Sequence, residues 1–160
     1  MDTQAIFLLQ FLLSIIVFSF LMKWIAKPWL NKQSINTALF WLTLPHTFRH
    51  IGMSFLVPGL SLQTLPSNFA VPAAYGDLAA GILAFAALCF LYYKWPLALV
   101  IIWIFNIVGF IDLLNAFRHA EVIPMFGANW YIPTFLVPLL LVTHFMIFKR
   151  LIFNVNLKSE

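Results

Sequence analysis

The chain has 160 residues, of which 63% are hydrophobic and only 9% charged. Soluble domains carry about 25% charged residues, and a water-soluble globule this apolar would expose large patches and aggregate. Composition therefore excludes that class and points to a bilayer. The net charge of +4 does not indicate nucleic acid, because the basic residues sit mostly at predicted helix ends rather than in one patch.

A membrane-spanning helix takes about 20 residues, so about five spans with short loops use the whole chain. The expected fold is all-α, an integral membrane bundle forming a single transmembrane domain over residues 1–160. The first predicted helix covers 4–22. It follows Met1-Asp2-Thr3-Gln4, lacks a basic leader and is too long for a signal-peptide core, which predicts a retained helix. The second covers 35–57 and stops at Pro58-Gly59; the third covers 73–93 and closes on the interfacial cluster Tyr92-Tyr93-Lys94-Trp95. Pro96 suits the first turn of a fourth helix over 96–117. The fifth covers 131–150, and a polar tail follows. The single cysteine, Cys89, lies in an apolar run and excludes an internal disulfide.

Lys23, Lys27 and Lys32 follow helix one, Lys94 follows helix three, and Lys149, Arg150 and Lys158 follow helix five; the other side carries only Arg118. With an odd number of spans the positive-inside rule places the N-terminus outside and the C-terminus in the cytoplasm.

That orientation sets depth. At 1.5 Å per residue, Arg49 lies roughly 12 Å from the outer end of helix two, and Asp77 and Asp112 lie about five residues from the outer ends of helices three and four. An unpaired charge near the bilayer centre costs about 2.5–3.5 kcal/mol or more, so Arg49 is expected to pair with Asp77 and Asp112 inside the bundle. Such a cluster either binds something or holds helix register. His46 on helix two and His144 on helix five reach similar depth, and Asn106 on helix four joins them. On an α-helix His50 shares the face of His46, and Thr43, Thr47 and Ser54 extend that stripe. Histidines from different helices can ligate haem iron, line a polar pocket or proton path, or simply hydrogen-bond a neighbouring helix. There is no CxxCH, no HExxH and no spaced Cys/His array, so no metal site is expected. His119 falls in an outer loop, where solvation accounts for it.

Ala73, Asp77, Ala80, Gly81 and Ala84 recur at helical spacing on helix three, as close helix packing in lipid requires. Pro45, Pro133 and Pro138 predict kinks. The outer segments 58–72 and 121–133 are long and apolar, with Leu60, Leu62, Leu65, Phe69, Met125, Phe126 and Trp130. They are expected either to anchor in the interface or to fold over the bundle as lids on a pocket floored by Arg49, Asp77 and Asp112.

Phe48-Arg49 with Gly52, Pro72 with Gly76-Asp77, Asn106 with Gly109 and Asp112, and the run Ile132-Pro133-Thr134-Phe135-Leu136-Val137-Pro138 followed by His144 together resemble an uncharacterised family of small polytopic bacterial inner-membrane proteins. The resemblance covers helices two to five, with the helix-five run its most specific part. It implies a bacterial inner-membrane location and a helical fold, and no activity. The family pattern includes His144 but often lacks histidine at the positions of His46 and His50, which argues against a shared bis-histidine cofactor.

The leading expectation is a protein that binds or transports a small amphipathic or anionic molecule in an outward-facing polar pocket built from Arg49, Asp77, Asn106, Asp112 and His144, surrounded by membrane lipids and with a homo-oligomer as its candidate assembly. No internal repeat of the secondary-transporter kind is visible. The alternatives are a redox protein holding haem b through His46 or His50 with His144, a membrane-embedded lipid enzyme, and an accessory subunit.

Overall fold

Pro28, Pro45 and Pro138 set where three of the helices leave α geometry. A proline donates no backbone hydrogen bond, and its ring crowds the carbonyl four residues back. The computed structural model describes residues 2–156; Lys158 and the rest of the polar tail lie outside the described residues. Helix α1 runs Thr3–Leu30 and passes Pro28 through a π turn at Met22–Ala26. That turn contains Trp24, whose carbonyl would meet the proline ring. The same device precedes Pro138: a π turn at Ile132–Leu136 contains Thr134, and helix α5, Val137–Asn156, follows.

Pro45 has a larger effect. Helix α2, Ile35–Thr43, is capped by Ser34, whose hydroxyl accepts from the Thr37 amide at 3.2 Å. It then gives way to a 3-10 helix at Leu44–Leu56. Helices α3, Ser67–Tyr92, and α4, Ala98–Ala116, complete the bundle. Among the described residues the fold is all-helical, and four runs (Thr3–Leu30, Ser67–Tyr92, Ala98–Ala116 and Gly127–Phe153) are long and apolar enough to cross a membrane.

Three boundaries differ from expectation. Helix α1 continues eight residues beyond 22, because the π turn accommodates Pro28. Helix α3 begins at Ser67 rather than 73, with Pro72 inside it. The predicted second helix, 35–57, is α for nine residues and 3-10 for thirteen. Runs of 3-10 longer than three or four residues are uncommon, so packing must favour this one. At three residues per turn, side chains at i and i+3 eclipse, and the buried residues of the segment are His46, Arg49, Gly52 and Phe55. Phe48 and Ile51 face outward. Winding at 3.6 residues per turn would spread the buried set around the helix.

The face that receives this segment is built from small residues. Ala80, Ala84 and Ala87 of α3 are fully buried, and a Cβ on Gly81 would sit only 3.4 Å from the His50 backbone nitrogen. Beyond it, Leu39, Leu42, Ile102, Phe105 and Ile147 form the core of the half that carries Lys23, Lys94 and Lys149, called the basic end below. At the opposite end Phe7, Phe55, Phe69, Val122 and Phe126 form a second core.

Over that second core the two long segments clasp one another. Short 3-10 turns at Ala120–Met125 and Gly127–Trp130 bring the Leu62 amide to the Met125 carbonyl at 2.9 Å, and the Ala128 amide to the Leu60 carbonyl at 2.8 Å. Gly127 has φ +54°, and a Cβ there would lie 2.8 Å from the Leu60 carbonyl oxygen, so only glycine permits the approach. Asn129, buried at the joint, accepts from Ser54 Oγ at 2.7 Å and donates to Ser61 Oγ at 3.0 Å. Trp130 Nε1 donates to Gln10 Oε1 at 2.6 Å and ties the clasp to α1.

Asn129→Ala is expected to open this clasp, because it leaves Ser54 and Ser61 without their shared partner at a cost of about 1–3 kcal/mol. Hydrogen exchange at the Leu62 and Ala128 amides should quicken while α4 stays protected. Unchanged exchange at both amides would refute the role given to Asn129.

Candidate functional site

Arg49 is fully buried on the inner face of the 3-10 segment, and two helices supply its three partners. Nε donates to Asp77 Oδ1 of α3 at 2.8 Å. Nη1 donates to the Gly109 carbonyl of α4 at 2.8 Å. Nη2 donates to Asp112 Oδ2 of α4 and also lies 2.7 Å from Asp77 Oδ1. All three guanidinium nitrogens are thus engaged, in the planar fork that suits carboxylates.

Glycines make room for this cluster. A Cβ on Gly52 would lie 2.7 Å from Asp77 Cβ and overlap its carboxylate; one on Gly76 would overlap the Asp112 carboxylate; one on Gly109 would fall 2.9 Å from Arg49 Nη1 and 3.0 Å from His144 Cε1. Each member of the ion cluster therefore occupies the space that a neighbouring helix vacates by carrying glycine. This explains why Gly52, Gly76 and Gly109 accompany the charges in the sequence.

Behind the cluster lies a fully buried histidine pair. His144 Nδ1 meets Asn106 Oδ1 at 2.7 Å, and Asn106 Nδ2 donates to the His144 carbonyl at 3.4 Å. A carbonyl oxygen only accepts, so His144 carries its proton on Nδ1. Thr143 Oγ1 lies 3.0 Å from the Leu139 and Leu140 carbonyl oxygens and 2.8 Å from His46 Nε2. His46 Nδ1, His144 Nε2 and Thr43 Oγ1 have no hydrogen-bond partner among the described residues. Two imidazole nitrogens thus remain unpartnered in the interior among the described residues.

The haem arrangement expected for these histidines does not fit. The His46 and His144 ring centroids are 4.2 Å apart, which leaves no gap for a porphyrin between them. His50 is exposed and its Nδ1 lies 2.9 Å from the Thr47 carbonyl oxygen. The expectation that His50 shares the face of His46 assumed α winding; at three residues per turn the face belongs to Arg49 instead. Among the described residues no group of three or more His, Cys, Asp or Glu side chains converges as a metal site.

On the other side of the ion cluster is a cavity of about 270 Å³. Asp77 and Asp112 stand in its wall, with side chains 13% and 20% exposed, whereas Arg49 behind them is 0% exposed. Phe7, Phe55, Phe69, Phe126 and Ile132 supply apolar lining, and His119, paired with Glu121 at 3.0 Å, stands at its edge. The sequence reading missed Phe7, Gln4 and His119 as cavity residues. The period of α1 does place Gln4 and Phe7 on one face, but their partner is visible only in three dimensions.

Removing either carboxylate is expected to leave Arg49 undercompensated. Asp77→Ala or Asp112→Ala should each destabilise the bundle by about 3–5 kcal/mol. Gly76→Ala, which drives a methyl into Asp112, should cost about 1–3 kcal/mol. Thermal unfolding in detergent measures all three, and carboxylate variants that melt with the wild type would refute the pairing.

Comparison with curated proteins and with solved structures finds no match. A family profile described as a domain of unknown function, DUF8737, matches residues 6–152. The chain therefore belongs to the DUF8737 family.

Proposed function

We propose that this protein binds a small amphipathic molecule in the capped cavity, with an apolar body among the phenylalanines and a cationic or hydrogen-bond-donating head on Asp77 and Asp112. The observation that carries the reading is the asymmetry of the cluster: two carboxylates reach the cavity and the guanidinium does not. One formal positive charge against two negative ones leaves a formal excess of one negative charge on the cavity wall. An anionic head, the other half of the original expectation, would meet carboxylates rather than Arg49, whose nitrogens are already engaged. The volume, about nine waters at ~30 Å³ each, suits a compact ligand, and an apolar pocket with few convergent polar groups is the usual form of a small-molecule site.

Phenethylammonium and phenylacetate, which share an aromatic body and differ in charge, make suitable probes. Phenethylammonium is expected to raise the melting temperature of the reconstituted protein in a concentration-dependent way, by about 2.7 kcal/mol of stabilisation at one hundred times Kd. Phenylacetate should not, and Ala116→Phe, which fills the cavity, should abolish the effect. Stabilisation by phenylacetate alone would overturn the assignment of charge; stabilisation of the Ala116→Phe protein would overturn the location.

We further propose that the chain is a bacterial inner-membrane protein of five crossings, N-terminus outside and C-terminus cytoplasmic. The 3-10 segment supports the fifth crossing. Nine α residues and thirteen 3-10 residues span roughly 40 Å at 1.5 and 2.0 Å per residue, more than the ~30 Å hydrocarbon core. In a Cys89→Ala background, Gln63→Cys should react with a membrane-impermeant maleimide in intact cells and Lys32→Cys only after permeabilisation. Labelling of both from the same side would eliminate the fifth crossing.

A further inference from the structure

A second concavity, about 820 Å³, runs between α1 and α5 at the basic end, away from the capped cavity. Its upper walls are apolar: Leu12 and Ile15 from α1 face Leu141 and Phe145 from α5. Its mouth is cationic: Lys23 and Lys27 from α1, Lys149 and Arg150 from α5. Among the described residues the carboxylates are Asp2, Asp77, Asp112 and Glu121, and none of them lines this groove. The neighbours that these cations do have are uncharged. Arg150 donates to Asn31 Oδ1 at 3.0 Å, and Lys149 Nζ lies 5.9 Å from the Phe153 ring centre. Among the described residues, four cations from two helices thus converge without a counter-charge.

The length of the groove matches an acyl chain. Leu12 and Lys23 are eleven residues apart on α1, roughly 16 Å along the axis, close to half of a ~30 Å hydrocarbon core. Apolar walls one leaflet deep that end in a ring of cations fit a lipid tail that leads to a phosphate.

We infer that the α1–α5 groove is a binding site for an anionic phospholipid, its phosphate held by Lys23, Lys27, Lys149 and Arg150 and one acyl chain lying between α1 and α5. Basic pockets between transmembrane helices recognise anionic head groups in this way. Apolar walls alone would accept any lipid tail, so the charge ring determines the choice of head group. A free phosphate would use the ring and leave the groove empty, whereas a phospholipid fills both. This site is independent of the ligand proposed for the capped cavity.

The test is native mass spectrometry of the delipidated, detergent-solubilised full chain, titrated with phosphatidylglycerol or with phosphatidylcholine of identical chains. The wild type is expected to retain phosphatidylglycerol at least about tenfold more tightly. The fourfold variant Lys23→Gln, Lys27→Gln, Lys149→Gln, Arg150→Gln should bring the two lipids within about twofold of each other. Lys32→Gln with Lys94→Gln, which removes basic-end charge outside the groove, should keep the preference. Ile15→Trp should weaken retention of both lipids by obstructing the tail. Equal retention of the two lipids by the wild type, or a preference that survives the fourfold variant, would overturn the proposal. A lipid-free dimer that cross-links through Ile15→Cys would also overturn it, by giving the groove to a second copy of the chain.

Discussion

The fold depends on one guanidinium held out of water. In a low-dielectric interior an uncompensated charge is costly enough to unmake a bundle of this size, so the positions of three helices are tied to Arg49. Asp77 fixes α3 against the 3-10 segment, while Asp112 and the Gly109 carbonyl fix α4. The glycines follow from the same requirement, since a side chain at Gly52, Gly76 or Gly109 would occupy the space of a charged group or of His144. Apolar packing holds the two ends of the bundle, and the ion cluster sets their register at the middle.

Much of this was legible in the residues because burying charge leaves few solutions. Arg49, Asp77 and Asp112 lie at similar depths on three apolar segments, and mutual pairing is the cheapest arrangement open to them. His144 and Asn106 were drawn together by the same reasoning. The failures share a cause. His50 was set beside His46 by assuming 3.6 residues per turn, whereas the triplet spacing of His46, Arg49, Gly52 and Phe55 was present in the sequence and reads correctly only for a 3-10 helix. Propensity alone would not predict thirteen 3-10 residues; packing against the alanine face of α3 overrides it. The clasp was harder still. Leu60 and Ala128 are distant in sequence, and nothing local shows that their backbones will bond.

The two concavities divide the molecule chemically. Among the described residues, carboxylates without free cations face the capped cavity, and cations without carboxylates face the α1–α5 groove. This polarity follows the placement of charge along the chain, in which basic residues gather at one set of helix ends and the carboxylates of α3 and α4 lie toward the other. Helix α1 contributes to both sites, with Phe7 in the first and Leu12 in the second, although few of its own residues are buried.

The 3-10 segment also behaves as a wound element held at both ends. Its thirteen residues extend roughly 26 Å at 2.0 Å each and would contract to about 20 Å if rewound as α. Rewinding would also change the turn per residue from about 120° to about 100°, carrying Phe55 away from the face that holds Arg49. Pro45 anchors one end and the Ser54–Asn129 joint the other. Length and phase are therefore coupled in this segment. Inserting or deleting one residue between those anchors would put either the arginine or the clasp out of step, whereas insertion or deletion of a whole three-residue turn would at least keep the phase.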